Sequence, residues 1–315
     1  MDDGVAAMLR TLNDAFPAVE RMSAQDARAA VAARRQPVTN VDHVAAAEDR
    51  TIDTAAGPVG VRIYHPHGHR GAPRPGIVFF HGGGFVLCDI ESHDGFCRAM
   101  ARHTDSVVVS VEYRRAPEHP APAAAEDAYG AFDWVARHAA ELGLDPRRIA
   151  VAGDSAGGNL AAVTPILCRD RGAAIPVAQV LLYPMIDPAC DTASHRQRAT
   201  GYFTTHAALQ WYWQQYLGGA LPDPAYLVAP GRTESLAGLP PAVVVTATLD
   251  PLHDEGVAYA RQLRADGVTV LHRDFHGLFH GFLTMLPFPP AVAARNLLWS
   301  DMREVLSTRV TEAVS

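Results

Sequence analysis

Short, almost wholly apolar runs alternate with helical patterns along most of this chain. Helical stretches such as Ala123–Leu142 and Ser155–Asp170 lie between several of them. Strands that are buried on both faces carry continuous apolar runs, and parallel strands need crossover helices between them. The pattern therefore predicts an α/β fold, in which a mostly parallel central sheet is flanked by helices. The strand candidates are Gly76–Phe80, Ser106–Glu112, Ile149–Gly153, Ala178–Tyr183, Ala242–Leu249 and Val268–Asp274.

Two regions depart from this alternation. Residues 1–46 read as helical, and 187–238 hold no strand candidate but carry an aromatic helical stripe from Trp211 to Tyr216. A long connection of this kind in a compact α/β domain is usually a lid or a cap. A hairpin predicted at 51–66 supplies the first two strands, which makes Ala178–Tyr183 the sixth strand. The insertion follows this sixth strand. The predicted organisation is a helical cap segment at 1–46, an α/β catalytic domain at 47–186 and 239–315, and a cap insertion at 187–238.

The basic residues exclude several kinds of chemistry. The sequence contains no lysine, and all 27 basic side chains are arginine. A P-loop lysine, a Schiff-base lysine and a Ser-Lys dyad are therefore ruled out, and any activated nucleophile must find its base among histidines and carboxylates. The net charge of −7 gives no electrostatic footprint for nucleic acid.

No segment of the sequence predicts a membrane or secretory role. The acidic start lacks a signal-peptide pattern, and no run of about 18 apolar residues occurs. The four cysteines, which lack Cys-x-x-Cys spacing, read as free thiols of a cytoplasmic protein rather than as a disulfide framework. They are Cys88, Cys97, Cys168 and Cys190.

A candidate nucleophile, Ser155, lies between an apolar strand and a helical run. It stands in Gly153-Asp154-Ser155-Ala156-Gly157. A serine in a sharp strand-to-helix turn exposes its Oγ, and flanking glycines are needed because side chains there would collide with the neighbouring strand and helix. The helix N-terminus also favours developing negative charge. A tight turn with a capping serine is the structural alternative.

A second motif, a glycine run, follows directly after the strand that ends at Phe80. It reads His81-Gly82-Gly83-Gly84. A tetrahedral intermediate needs N–H donors aimed at its oxyanion, and glycines let the backbone come close. We expect the amides of Gly82, Gly83 and Ala156 to supply them. A phosphate cradle is excluded because no Gly-x-Gly-x-x-Gly or Walker pattern follows.

The pairing of His-Gly-Gly-Gly-Phe with Gly-Asp-Ser-Ala-Gly-Gly resembles the hormone-sensitive-lipase family of α/β-hydrolases and its bacterial carboxylesterases. The resemblance spans roughly residues 50 to 300. It implies the α/β-hydrolase fold and carboxylic-ester hydrolysis by a Ser-His-Asp triad, without a cofactor. Other segments that match are Tyr113–Pro120, Leu182–Pro184, Leu239–Ala242 and Asp250–Gly256.

The triad order of α/β-hydrolases limits the acid and the base to residues after the serine. Asp250 closes an apolar strand and is the predicted acid, whereas Asp254 and Glu255 fit the start of the next helix. Both His276 and His280 stand in a loop able to reach the serine. The resemblance selects His280, because only His280 is followed by Gly-Phe as the family's base is.

The expected function is hydrolysis of small esters with short- to medium-chain acyl groups, with a homodimer left open. Two alternatives remain: a ligand receptor built on an inactive hydrolase, and a peptidase or amidase that uses the same triad. A metal site at His65-Pro66-His67-Gly68-His69 is not expected, because no carboxylate or cysteine stands beside these histidines as a further ligand.

Overall fold

A computed structural model describes residues 2–68 and 71–307 of the chain. Eight strands form one sheet in the order β1-β2-β4-β3-β5-β6-β7-β8. The first two strands are antiparallel, β2 pairs antiparallel with β4, and every other neighbouring pair is parallel. The strands are β1 Val44–Thr54, β2 Gly57–Pro66, β3 Arg74–Phe80, β4 Val107–Glu112, β5 Leu144–Asp154, β6 Gln179–Leu182, β7 Ala242–Leu249 and β8 Val270–Phe279.

Helices cover both faces of the sheet. Side chains of α4, α5 and α8 pack on one face with Val78 and Phe80 of β3, while α3 and α9 pack on the other face with Ile77 and Phe79. Alternate residues of a strand point to opposite faces, so β3 is apolar throughout because both its faces are buried. The helices are α1 Asp3–Ala15, α2 Ala24–Ala32, α3 Ile90–Thr104, α4 Ala123–Arg137, α5 Ala156–Asp170, α6 Ala193–Gln197, α7 His206–Leu217, α8 His253–Ala265 and α9 Val292–Ser307.

The strand order creates a crevice between β3 and β5. The chain leaves β3 toward β4 on one side and then returns to β5 on the other side. Open α/β sheets bind ligands at such a switch point, outside the carboxyl ends of the strands. The glycine run after Phe80 and the serine after Asp154 both stand at this crevice.

The N-terminal helices and residues 187–238 meet at this end of the sheet. The Asn13 side chain joins them, since its Nδ2 donates to the carbonyl of Gly201 (2.9 Å) and its Oδ1 accepts from the N–H of Phe203 (3.0 Å). The rings of Phe16 and Phe203 also pack edge-on, with centroids 5.0 Å apart. Helix α1 is thereby tied to the segment that precedes α7.

The sequence predicted each strand of the parallel region, and β7 has the bounds expected. Two differences matter. Strand β1 begins at Val44, so the helical reading of 1–46 ran too far, and α3 was not predicted.

All four cysteines are free thiols. Within the described residues, no helix combines the length and apolar character needed to cross a bilayer.

Candidate active site

Three of the predicted side chains lie together at the carboxyl end of the sheet. Nε2 of His280 is 3.0 Å from Oγ of Ser155, and Nδ1 of His280 is 2.7 Å from Oδ2 of Asp250. The other oxygen of Asp250 accepts the N–H of Leu252 at 2.8 Å, so the carboxylate is held from both sides. All three groups are buried. In this arrangement the imidazole can take the serine proton while the carboxylate fixes its tautomer.

The serine occupies a strained turn. Ser155 has φ +57° and ψ −115°, and its N–H donates to the carbonyl of Leu182 at 2.8 Å. The glycines on either side are required for close approach. A Cβ on Gly157 would overlap the carbonyl oxygen of Phe80, and one on Gly153 would overlap that of Gly157. The turn therefore brings β3, β5 and the start of α5 within backbone contact.

The glycine run offers a different pair of amides from the predicted one. The N–H of Gly82 donates to Oδ1 of Asp154 at 2.8 Å, so this amide is not available to an oxyanion. Gly83 and Gly84 line the cavity with Ser155, and their N–H groups donate to no residue that the structure describes. The N–H of Ala156 is the first of α5 and has no partner within its helix. The structure thus replaces Gly82 with Gly84 as a candidate donor.

Asp154 anchors this loop from below. Its Oδ1 also lies 3.1 Å from Nε2 of His93, on the first turn of α3. Burial raises the pKa of Asp154, but the charge and the hydrogen bond of His93 together lower it by more. The pKa of Asp154 is therefore below its usual value. His81 is fully buried, which lowers its pKa to about 3 and keeps the ring neutral, with Nδ1 2.7 Å from the carbonyl of Gly82.

His93 is the functional side chain that the sequence reasoning missed. Helix α3 begins with a capping box, in which the side chains of Asp89 and Ser92 each bond to the other residue's backbone. This pattern is visible in the sequence and could have predicted the helix that carries His93.

The competing histidines lie away from the serine. His276 is exposed on β8, and no hydrogen bond joins its ring to any described residue. His272 lies on the same strand, and its Nε2 is 2.8 Å from Oγ1 of Thr246. Neither ring contacts Ser155, whereas His280 does.

The competing carboxylates have structural partners instead. Oδ2 of Asp254 accepts the N–H of Ser194 at 2.9 Å, and Oε1 of Glu255 accepts the N–H of Ile186 at 2.7 Å. Burial raises the pKa of Glu255 well above its ordinary value. Both residues lie in the first turn of α8, as the sequence predicted.

The serine faces a cavity of about 310 Å³. Ser155, His280, Gly83 and Gly84 form its floor, and the N-terminal segment and the 187–238 segment form much of its wall. The wall residues from these segments include Leu12, Asn13, Phe16, Pro17, Val19, Glu20, Phe203, Leu209 and Tyr212.

The histidine-rich segment near residue 65 has ordinary contacts. His65 and Pro66 are the last residues of β2 rather than part of a loop, and Nε2 of His67 is 2.8 Å from the carbonyl of Asp42. His69 lies outside the described residues. In the part of the chain that is described, no three His, Cys, Asp or Glu side chains are grouped so that they could hold a metal ion.

Comparison with known proteins gives one consistent result. Residues 77–284 match a family model described as the alpha/beta hydrolase fold. The carboxylic ester hydrolase LipN of Mycobacterium tuberculosis is 46% identical over 266 residues, which cover 82% of this chain and 70% of LipN. Esterase LipI of the same organism is 43% identical over 293 residues, covering 92% of this chain and 85% of LipI.

A solved esterase of Pyrobaculum calidifontis superposes with a TM-score of 0.88 at 36% identity, over 96% of this chain and 99% of that one. At this coverage the match includes most of the N-terminal segment and of residues 187–238 as well as the sheet. The chain therefore belongs to the α/β-hydrolase family, in its branch of bacterial carboxylesterases similar to hormone-sensitive lipase.

Proposed function

We propose that this protein hydrolyses carboxylic esters with short- to medium-chain acyl groups through a Ser155–His280–Asp250 triad. The observation that carries the proposal is the continuous hydrogen-bonded path from Oγ of Ser155 to Asp250, which opens on a cavity lined by Gly83 and Gly84 with their unpaired amides. The esterase names of the relatives support the same chemistry.

The acylation step uses the groups in the order of their contacts. Nε2 of His280 takes the proton of Ser155 as Oγ attacks the ester carbonyl carbon. The carbonyl oxygen becomes an oxyanion, which the N–H groups of Gly83, Gly84 and Ala156 stabilise. His280 then gives its proton to the leaving alcohol, and Asp250 stabilises the imidazolium throughout.

Deacylation repeats this sequence with water. His280 removes a proton from the water that attacks the acyl-Ser155 carbonyl, and the same amides hold the second oxyanion. The acid is released, and the proton returns from His280 to Oγ. No external oxidant, reductant or cofactor enters either step.

The size and cover of the cavity support small substrates. Its volume of about 310 Å³ is near the lower end of ordinary ligand pockets. We assign the segment before β1 and residues 187–238 to a cap that covers the α/β domain, because their side chains form much of the wall. An acyl chain much longer than the cavity would have to leave through the cap.

A series of nitrophenyl esters tests the proposal, from acetate through butyrate and octanoate to palmitate. We expect kcat/KM to be highest for the short and middle members and Ser155→Ala to reduce turnover by several orders of magnitude. A nitroanilide with the same acyl group separates esterase from amidase activity. Highest activity on palmitate, or turnover that survives in Ser155→Ala, would contradict the proposal.

A further inference from the structure

Glu20 is a carboxylate without a partner on the wall of the catalytic cavity. It lies in the short 3-10 helix Val19–Arg21, which follows α1, and it is only partly exposed. No hydrogen bond or ion pair joins its side chain to a described residue. Most acidic side chains near the site are paired, as Asp154 is with His93 and Asp250 is with His280. Glu20 is therefore a cavity-lining carboxylate that no described side chain binds.

No arginine among the described cavity-lining side chains offsets the charge of Glu20. None of the described wall residues is an arginine, and the sequence holds no lysine. The two histidines of the wall, His93 and His280, are each paired with a carboxylate. An anionic ligand would find no free cation here, and a cationic ligand would find one free carboxylate.

Aromatic side chains line the same cavity as this carboxylate. They are Phe16, Phe203 and Tyr212. Tyr212 links the two parts of the site, because its ring lies against Gly84 and its hydroxyl is within electrostatic reach of Glu20. Burial first, then the nearby Cys88 thiol and Glu20 charges, raise the pKa of Tyr212, so its hydroxyl stays neutral.

We propose that Glu20 selects esters that carry an ammonium group, with Phe16, Phe203 and Tyr212 providing aromatic faces for the cation. This inference rests on the proposed ester hydrolysis and names a substrate class for it. A carboxylate offers charge attraction, and aromatic faces attract quaternary ammonium groups through their quadrupoles. Esters with a free carboxylate would be disfavoured by the same wall.

A pair of nearly isosteric esters isolates the charge. Butyrylcholine carries a trimethylammonium group, and 3,3-dimethylbutyl butyrate carries a neutral tert-butyl group in its place. Calorimetric titration of the Ser155→Ala protein with each ester gives the ratio of the two Kd values without turnover. The ratio cancels changes in cavity shape that affect both esters alike.

We expect Ser155→Ala to bind the cationic ester more tightly, and Glu20→Gln in that background to reduce the preference about fivefold. The matched control is Asp14→Asn, which removes one charge from the exposed surface of α1 and does not line the cavity. It should leave the ratio unchanged. An unchanged ratio in Glu20→Gln, or an equal shift in Asp14→Asn, would overturn the inference.

Hydrolysis by the unmodified chain separates this inference from the function on which it rests. If neither ester nor nitrophenyl butyrate is cleaved while the cationic ester still binds through Glu20, the proposed function fails and the binding site stands. If the neutral ester is cleaved and the cationic ester has no advantage in either binding or kcat/KM, Glu20 does not select substrates.

Discussion

We predict that Asp154→Ala lowers kcat about a hundredfold although it removes neither a triad side chain nor an oxyanion amide. The side chain accepts the N–H of Gly82 and lies against Nε2 of His93, all in a buried setting. Its loss leaves two buried donors without an acceptor, at about 1–3 kcal/mol each. The loop can relieve this cost only by moving Gly82, and Gly83 and Gly84 move with it.

The size of the kinetic effect follows from the amides that move. One oxyanion donor is worth about 2.7–4 kcal/mol, or about 10²–10³ in kcat. We expect Asp154→Ala to lose most of one donor and to change KM little, because the oxyanion exists only beyond the ground state. In Asp154→Asn the amide oxygen can still accept from Gly82. A neutral acceptor is weaker than a charged one by about 1 kcal/mol, so the loss should be about fivefold.

Steady-state kinetics with nitrophenyl butyrate measure both variants, and near-UV circular dichroism with thermal unfolding verifies the fold. If the loop is held by a hydrogen bond, kcat should be highest for the unmodified chain, lower for Asp154→Asn and lowest for Asp154→Ala. A folded Asp154→Ala protein with kcat within about twofold of the unmodified chain would refute the reasoning.

Three further predictions concern the base, the buried carboxyl group of Glu255 and the turn that holds Ser155. His280→Ala should reduce kcat by several orders of magnitude, whereas His276→Ala should leave it near the unmodified value; the reverse result would move the base to His276. The pKa of Glu255 is higher in the folded protein than in the unfolded chain. Its contribution to stability is therefore complete at a pH below the unfolded pKa and is lost as the pH rises toward the folded pKa. Glu255→Gln should therefore gain stability relative to the unmodified chain between pH 5 and 8 in thermal unfolding, by at most about 1.4 kcal/mol per pH unit; a constant difference would contradict this. Gly157→Ala would force a Cβ into the carbonyl oxygen of Phe80, so we expect little folded protein by circular dichroism, and native-like unfolding would refute the steric argument.

The sequence predicted the parts of the site that depend on local chain geometry. Ser155 and Asp250 directly follow strands, so the parallel sheet alone brings them to one edge. Helix α3 was missed because two buried polar side chains, His93 and Asp94, interrupt its apolar stripe. Their burial depends on partners from other elements, such as Asp154 and Tyr64, which no local pattern contains.

The choice between glycine amides was also beyond the sequence. A run of three glycines marks a close backbone approach, but which N–H faces the cavity depends on local dihedral angles and on the Asp154 acceptor. Gly83 and Gly84 adopt φ values of +111° and +63°. The cap wall is a similar case, since Asn13 contacts Gly201 and Phe203 across nearly two hundred residues of chain.

The third glycine of the run lies between helix α7 and the candidate active site. A Cβ on Gly84 would overlap the ring of Tyr212, which α7 places directly over the loop. Residue 84 therefore has to be glycine for clearance from the Tyr212 ring as well as for its positive φ. Since its N–H is a candidate oxyanion donor, any shift of α7 alters the packing over that donor. Helix α7 thus shapes the cavity and also limits where the glycine run can lie.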